Sequence, residues 1–257
     1  MPVRRVAAER YVAPLREGGS LPAIMEADDL GTYVVKFRGA GQGVKALVAE
    51  LIVGELGRAL GLPIPELVFI DVDPELGRAE PDSEIRGLLR ASGGLNLGLD
   101  FLPGSVGYDR AVFNVAPDLA ARVVWFDALV TNIDRTPRNT NLLVWHKKLM
   151  LIDHGAALYF QHDLRGGMER ARAPFAPIRA HVLLGVAGDL AAADAELAPR
   201  VTPALLEEVT ALVPDEWLAE PGVAPAEARR IYVEFLTRRI APPRPFLEAA
   251  RDAQAQV

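Results

Sequence analysis

Residues 131–155 read TNIDRTPRNTNLLVWHKKLMLIDHG, and the placing of polar residues in this stretch decides how the whole chain is read. Asp134 is followed five residues later by Asn139 and then by Asn141. Two short apolar runs, 142–145 and 149–152, flank the polar turn His146-Lys147-Lys148, as the strands of a tight hairpin would. That hairpin would return Asn139 or Asn141 to the side of Asp153, which opens Asp-His-Gly at 153–155.

These residue types suit phosphoryl transfer from ATP. An attacking hydroxyl needs a carboxylate to orient it and take its proton, and Asp134 is the candidate. Mg²⁺ takes oxygen ligands and keeps several waters, so one or two carboxylate or amide oxygens suffice. Asp153 with Asn139 supplies them, Asn139 having the expected offset from Asp134. Asn141, directly before the apolar run, is the alternative. Singly, each residue has an ordinary reading: Asp134 as a turn residue before Pro137, the asparagines as loop formers. The joint order has few structural reasons to occur.

Asn-x-Asp-Arg, an Asn five after the Asp, and then Ile-Asp-His-Gly together resemble the HipA-like kinases and their relatives, the phosphatidylinositol 3- and 4-kinases. The similarity extends upstream to ELIVGELGRALGLPIPE at 50–66, which resembles the lobe-spanning helix that carries a glutamate into Leu-Gly-Leu-Pro. It covers roughly residues 10–160. The resemblance implies an α+β, two-lobed, protein-kinase-like fold. Residues 1–104 would form an N-terminal lobe of antiparallel sheet plus helix, and 105–257 a mainly helical catalytic lobe. It implies ATP and Mg as cofactors and a protein Ser/Thr as the first acceptor to consider, with lipid or small-molecule hydroxyls open.

Upstream, 10–15 and 22–27 read as strands joined by Arg16-Glu17-Gly18-Gly19-Ser20. Gly18 and Gly19 permit close approach of backbone N–H groups to phosphate, although a plain hairpin turn would use the same residues. The resemblance adds Ser20 as a hydroxyl near phosphate. The run 31–38 embeds Lys36 among β-branched and aromatic residues, where a kinase needs a lysine on the α/β-phosphates that pairs with a helix glutamate. From 45 to 60 apolar residues recur at helical spacing, ending at Gly61-Leu62-Pro63. Glu50 and Glu55 are both available on this helix, and the family segment favours Glu50.

Residues 66–73 read as a strand, 74–83 as a polar loop, and 95–104 as a strand entering the hinge. There the resemblance places adenine against backbone near Asp100 and Leu102. Proline and glycine between 103 and 107 mark the lobe junction. A helix at 118–130, introduced by Pro117, delivers the chain to Asp134. Residues 161–172 hold Arg165, Arg170 and Arg172 around two glycines, either a solvated mobile loop or an activation or substrate segment. Beyond 178 the chain is mainly helical, with Pro242-Pro243-Arg244-Pro245 a stiff connector to a terminal helix.

Composition is compatible with this reading. Of 257 residues 50% are apolar and 24% charged, enough to bury a substantial core. The chain has no cysteine, which removes disulfides and thiolate metal sites. No signal peptide or membrane span is predicted, so a cytoplasmic location is expected. The net charge of -6 speaks against nonspecific nucleic-acid binding. None of the four histidines sits at a zinc-site spacing, and none is assigned a catalytic role. His154 is expected to pack on the lobe-spanning helix. The readings that compete with a kinase are a nucleotide-binding pseudokinase scaffold and a non-nucleotide interaction protein; no partner protein or oligomeric state is legible.

Overall fold

Alternating burial along short strands builds the N-terminal part of the computed structural model, which describes residues 2–15, 21–41, 43–164 and 166–257. The strands are β1 (Arg4–Pro14), β2 (Ala23–Ala27), β3 (Thr32–Lys36), β4 (Leu67–Val72) and β5 (Gly94–Asp100). Antiparallel pairing links β1 to β2, β2 to β3, β3 to β5 and β5 to β4. The expected antiparallel sheet is corrected at its edges: β1 and β4 pair in parallel and close the sheet into a barrel. The cause is length. β1 has 11 residues and β2 only 5, so the stretch from Arg4 to Ala7 reaches past β2 and pairs with β4. Closure leaves no unpaired sheet edge to template association. Arg5 and Asp71 form an ion pair across this seam at 2.6 Å, solvent-exposed and so a minor contributor to stability.

Side-chain alternation sorts the strand faces. Val6, Met25, Tyr33, Val35, Val68 and Ile70 fill the barrel, so on β3 the residue after Val35 must face outward. That residue is Lys36, and helix α1 (Gly43–Ala59) lies there to meet it. Every residue of α1 from Leu47 to Gly57 is buried, which explains why its apolar residues are not confined to one stripe. At its C-terminus the Leu62 amide donates to the Gly57 carbonyl and the Gly61 amide to that of Arg58, both at 2.9 Å. This is a Schellman closure, with Gly61 supplying the left-handed φ of 79°. A Cβ on Gly57 would overlap Ile64 and lie 3.2 Å from Phe126, so glycine there sets how closely the neighbouring elements approach α1.

The polar loop expected at 74–83 holds a short 3-10 turn and runs into a helix that the sequence reading did not include. Pro74–Gly77 forms a 3-10 turn, and α2 (Ser83–Ala91) starts on Asp82, whose carboxylate accepts from the amides of Glu84 and Ile85. Ile85 and Leu89 then close the barrel core. A short β6 (Val106–Gly107) pairs with the hairpin of β7 (Leu142–Trp145) and β8 (Lys148–Leu151). Helix α3 (Pro117–Leu129) precedes the hairpin, and α4 (Leu190–Leu197), α5 (Pro203–Ala211), α6 (Pro225–Ile240) and α7 (Pro245–Gln254) follow it. One apolar core runs from α1 through α3 to these helices, separate from the barrel core.

Residues 161–172 are not the open loop that their glycines and arginines predict. Tyr159–Asp163 and Gly167–Arg172 are 3-10 turns, with Phe160 stacked on Phe235 at 3.8 Å and Arg172 donating to the carbonyls of Ala241 and Pro242. Arg165 lies outside the described residues. No helix among the described residues is long and apolar enough to cross a membrane.

Candidate active site

Asp134 sits on a loop fixed from behind by a buried ion network. Asp127, a carboxylate in the apolar C-terminal half of helix α3, is fully buried and accepts from Arg135 Nε at 2.5 Å and Asn132 Nδ2 at 3.0 Å. Its Oδ2 also lies 2.9 Å from His181 Nε2. Since His181 Nδ1 accepts from the Leu183 amide, Nε2 carries the proton and donates. Burial pushes the Asp127 carboxyl up, but Arg135 and His181 outweigh it and hold the pKa well below the carboxylate range. Burial likewise keeps the His181 pKa below its ordinary value, against the pull of Asp127. Arg135 goes on to donate to the carbonyls of Asn141 and Ile152, so one guanidinium ties the loop to both ends of the hairpin.

Hairpin register brings the two halves of the site together. Leu142 pairs with Leu151, and the Ile152 amide donates to the Asn141 carbonyl at 3.1 Å, which puts Asn141 one residue across from Asp153. Both residues have left-handed backbones, with φ of 47° at Asn141 and 56° at Asp153, a conformation that Asn and Asp tolerate better than most. Asn139 lies outside the hairpin on an exposed turn, its carbonyl accepting from the Thr136 amide. Both asparagines donate to Asp134 through Nδ2, Asn139 at 2.8 Å and Asn141 at 3.3 Å. Their amide oxygens accept no hydrogen bond among the described residues.

Lys36 bridges the barrel to this hairpin. Its Nζ lies 2.6 Å from Glu50 Oε2 and 2.5 Å from Asp153 Oδ1. Burial lowers the ammonium pKa, yet Asp153 and Glu50 more than restore it and hold it above the usual lysine range. Glu50, with no exposed surface, also accepts from the His154 amide at 2.6 Å. Burial pushes its carboxyl up; Lys36 and His154 pull it from 4.5 down to about 2. The alternative, Glu55, instead pairs with Arg58 at 3.2 Å. His154 packs on α1 as its position implies, its Nδ1 3.4 Å from Glu50 Oε1.

The depressed Glu50 carboxyl sets a pH dependence. Its stabilising contribution is complete above pH 4.5 and is lost as pH falls toward about 2. The difference in melting temperature between wild type and Glu50→Gln is therefore expected to hold steady above pH 4.5 and shrink below it. A difference that grows on acidification would contradict this assignment.

The remaining candidates are placed less directly. The Asp100 amide donates to the Glu66 carbonyl at 2.9 Å and is occupied, whereas the Leu102 amide has no acceptor among the described residues. Trp145 Nε1 donates to the Pro103 carbonyl at 3.1 Å, fastening the turn after β5 to the hairpin. Gly18, Gly19 and Ser20 lie outside the described residues. Sequence reasoning did not single out Asp127, took Arg135 only as part of Asn-x-Asp-Arg, and assigned His181 no role. A lone carboxylate inside WFDALV was the available signal, but its partners lie 8 and 54 residues away.

The family model for HipA-like kinases matches residues 9–239. Among solved structures, the proinflammatory kinase CtkA of Helicobacter pylori aligns over 99% of this chain and 98% of its own, with a TM-score of 0.56 and 12% identity. That likeness concerns the fold. No curated protein matches the sequence.

Proposed function

The chain belongs to the HipA-like kinase family, and from that premise we propose that it transfers the γ-phosphate of ATP to a hydroxyl, first of all that of a protein serine or threonine. The observation that carries the reading is Lys36 held between Glu50 and Asp153, beside a loop that presents Asp134. Lys36 is placed to hold the α/β-phosphates, and the free Leu102 amide to donate to adenine. Asp134 orients the acceptor hydroxyl and takes its proton as the oxygen bonds to the γ-phosphorus and the bond to the ADP oxygen breaks. Gly18, Gly19 and Ser20 remain the proposed phosphate loop. The lobe boundary near 104 is proposed with the same function.

The donor chemistry fits Mg²⁺. One carboxylate, Asp153, and uncommitted asparagine amide oxygens make a hard oxygen set that leaves room for water. Mg²⁺, when bound, neutralises phosphate charge. Sequence spacing favours Asn139 as the second ligand, but the hairpin register favours Asn141, buried and across from Ile152. Asn141→Ala is expected to raise the Mg²⁺ concentration for half-maximal transfer at least about tenfold, and Asn139→Ala much less. The opposite ranking would return the ligand role to Asn139.

The reading as a whole is tested by following labelled γ-phosphate from ATP into the proteins of a cell extract, with a chelator control. Asp134→Ala transferring as fast as wild type would overturn it. Nucleotide binding without transfer by the wild type would leave a regulatory scaffold.

A further inference from the structure

Beside the loop that presents Asp134 lies a largely apolar groove of about 270 Å³, lined by Thr131, Ile133, Tyr159, Arg170, Phe175 and Pro177. The loop divides its side chains between two neighbourhoods. Asn132 and Asp134 join the polar network of the site, while Thr131 and Ile133 face the groove. Ile133 is 42% and Tyr159 51% exposed, and Ile133 directly precedes the residue assigned to the acceptor hydroxyl. Both side chains line the same groove.

The walls are firmly set. Arg239 of α6, itself buried, donates to the carbonyls of Ala128 and Leu129 at 2.7 Å and of Ala173 at 3.1 Å, tying the end of α3 to the segment that forms the groove. Phe160, stacked on Phe235, makes the floor. The volume falls just short of the ~300 Å³ at which small-molecule pockets begin, and fits one side chain rather than an acyl chain or a nucleoside. Among the described residues no carboxylate lines it.

Resting on the kinase reading above, we infer that this groove seats an apolar side chain of a polypeptide acceptor, one to three residues from the serine or threonine that Asp134 engages. An extended chain advances about 3.3 Å per residue, so a neighbour within three residues spans the distance from Asp134 past Ile133. Ile133 is thereby a specificity-determining residue. Its identity sets which acceptor segments bind, and the phosphoryl chemistry stays with Asp134.

The experiment offers the full-length chain and labelled ATP a degenerate peptide library with a central Ser/Thr. Each flanking position is fixed in turn as Leu, Phe, Asp or Lys. Leu or Phe at one position within three residues is expected to raise transfer about tenfold over Asp or Lys. Ile133→Glu is expected to erase that preference through the KM for peptide, with the KM for ATP unchanged. Ile133→Ala, the milder variant, should halve it or more, with melting curves confirming the fold of both. Transfer to peptides without apolar selection, or selection that survives both substitutions, overturns the inference and leaves the kinase reading standing. Asp134-dependent transfer to a lipid or small-molecule hydroxyl but to no peptide overturns it too. Absence of ATP binding and of any transfer sinks both readings.

Discussion

Asp134→Ala is expected to lower the rate of phosphate transfer by about a hundred- to ten-thousandfold, the usual yield of a positioned proton acceptor. The loss should fall on kcat, because Asp134 makes no hydrogen bond to Lys36 or Glu50, the residues proposed to serve nucleotide binding. The substitution frees the side-chain amide of Asn139 and leaves that of Asn141 on the residue 134 carbonyl, and the loop itself stays anchored through Arg135 and Asp127. The melting temperature should therefore move little, as expected for a half-exposed side chain away from the core. Asp134→Asn is the sharper control. It keeps the shape and removes the basicity, so it should be nearly as impaired as the alanine variant. An asparagine variant with wild-type kcat would show that Asp134 only positions the loop.

What was legible in the sequence divides by range. Elements set by local pattern came through: the β7–β8 hairpin, helix α3 behind Pro117 and helix α1 up to Gly61-Leu62-Pro63 all carry their boundaries in neighbouring residues. α2 was missed even though Asp82 caps it, because the polar stretch before it read as loop throughout. Barrel closure depends on β1 meeting β4 some 64 residues on, Arg4 opposite Val68, and no local signal encodes that. The site shows the same split. Asp134, Asn139, Asn141 and Asp153 lie within one segment, and Lys36 and Glu50 follow the order of a known family. His181 carried no such signal, since its link to the site is a contact with Asp127, 54 residues away. Residues 161–172 misled because glycine and arginine suggest mobility, while burial of Phe160, Gln161 and Ala171 is settled by packing on α6 and the helices around it.

That hidden contact carries the largest expected effect on stability. Asp127→Ala leaves the guanidinium of Arg135 buried, with no carboxylate to balance it, and removes the acceptor of both Asn132 Nδ2 and His181 Nε2. Breaking a buried pair from one side costs about 3–5 kcal/mol. At about 2–4 °C per kcal/mol for a chain of this size, the melting temperature should fall by roughly 6–20 °C. Asp127→Asn retains acceptor capacity for one or two of the three donors and should lose less. The loss is expected to be non-additive: Arg135→Met on top of Asp127→Ala removes the stranded charge and should recover part of the deficit. Activity separates stability from positioning. The double variant, though refolded, has lost the bonds from Arg135 to the Asn141 and Ile152 carbonyls, so Asp134 and Asp153 are no longer held in register. Transfer should stay low at temperatures where the double variant is fully folded. Recovery of transfer in step with recovered melting temperature would mean that the network serves the fold alone.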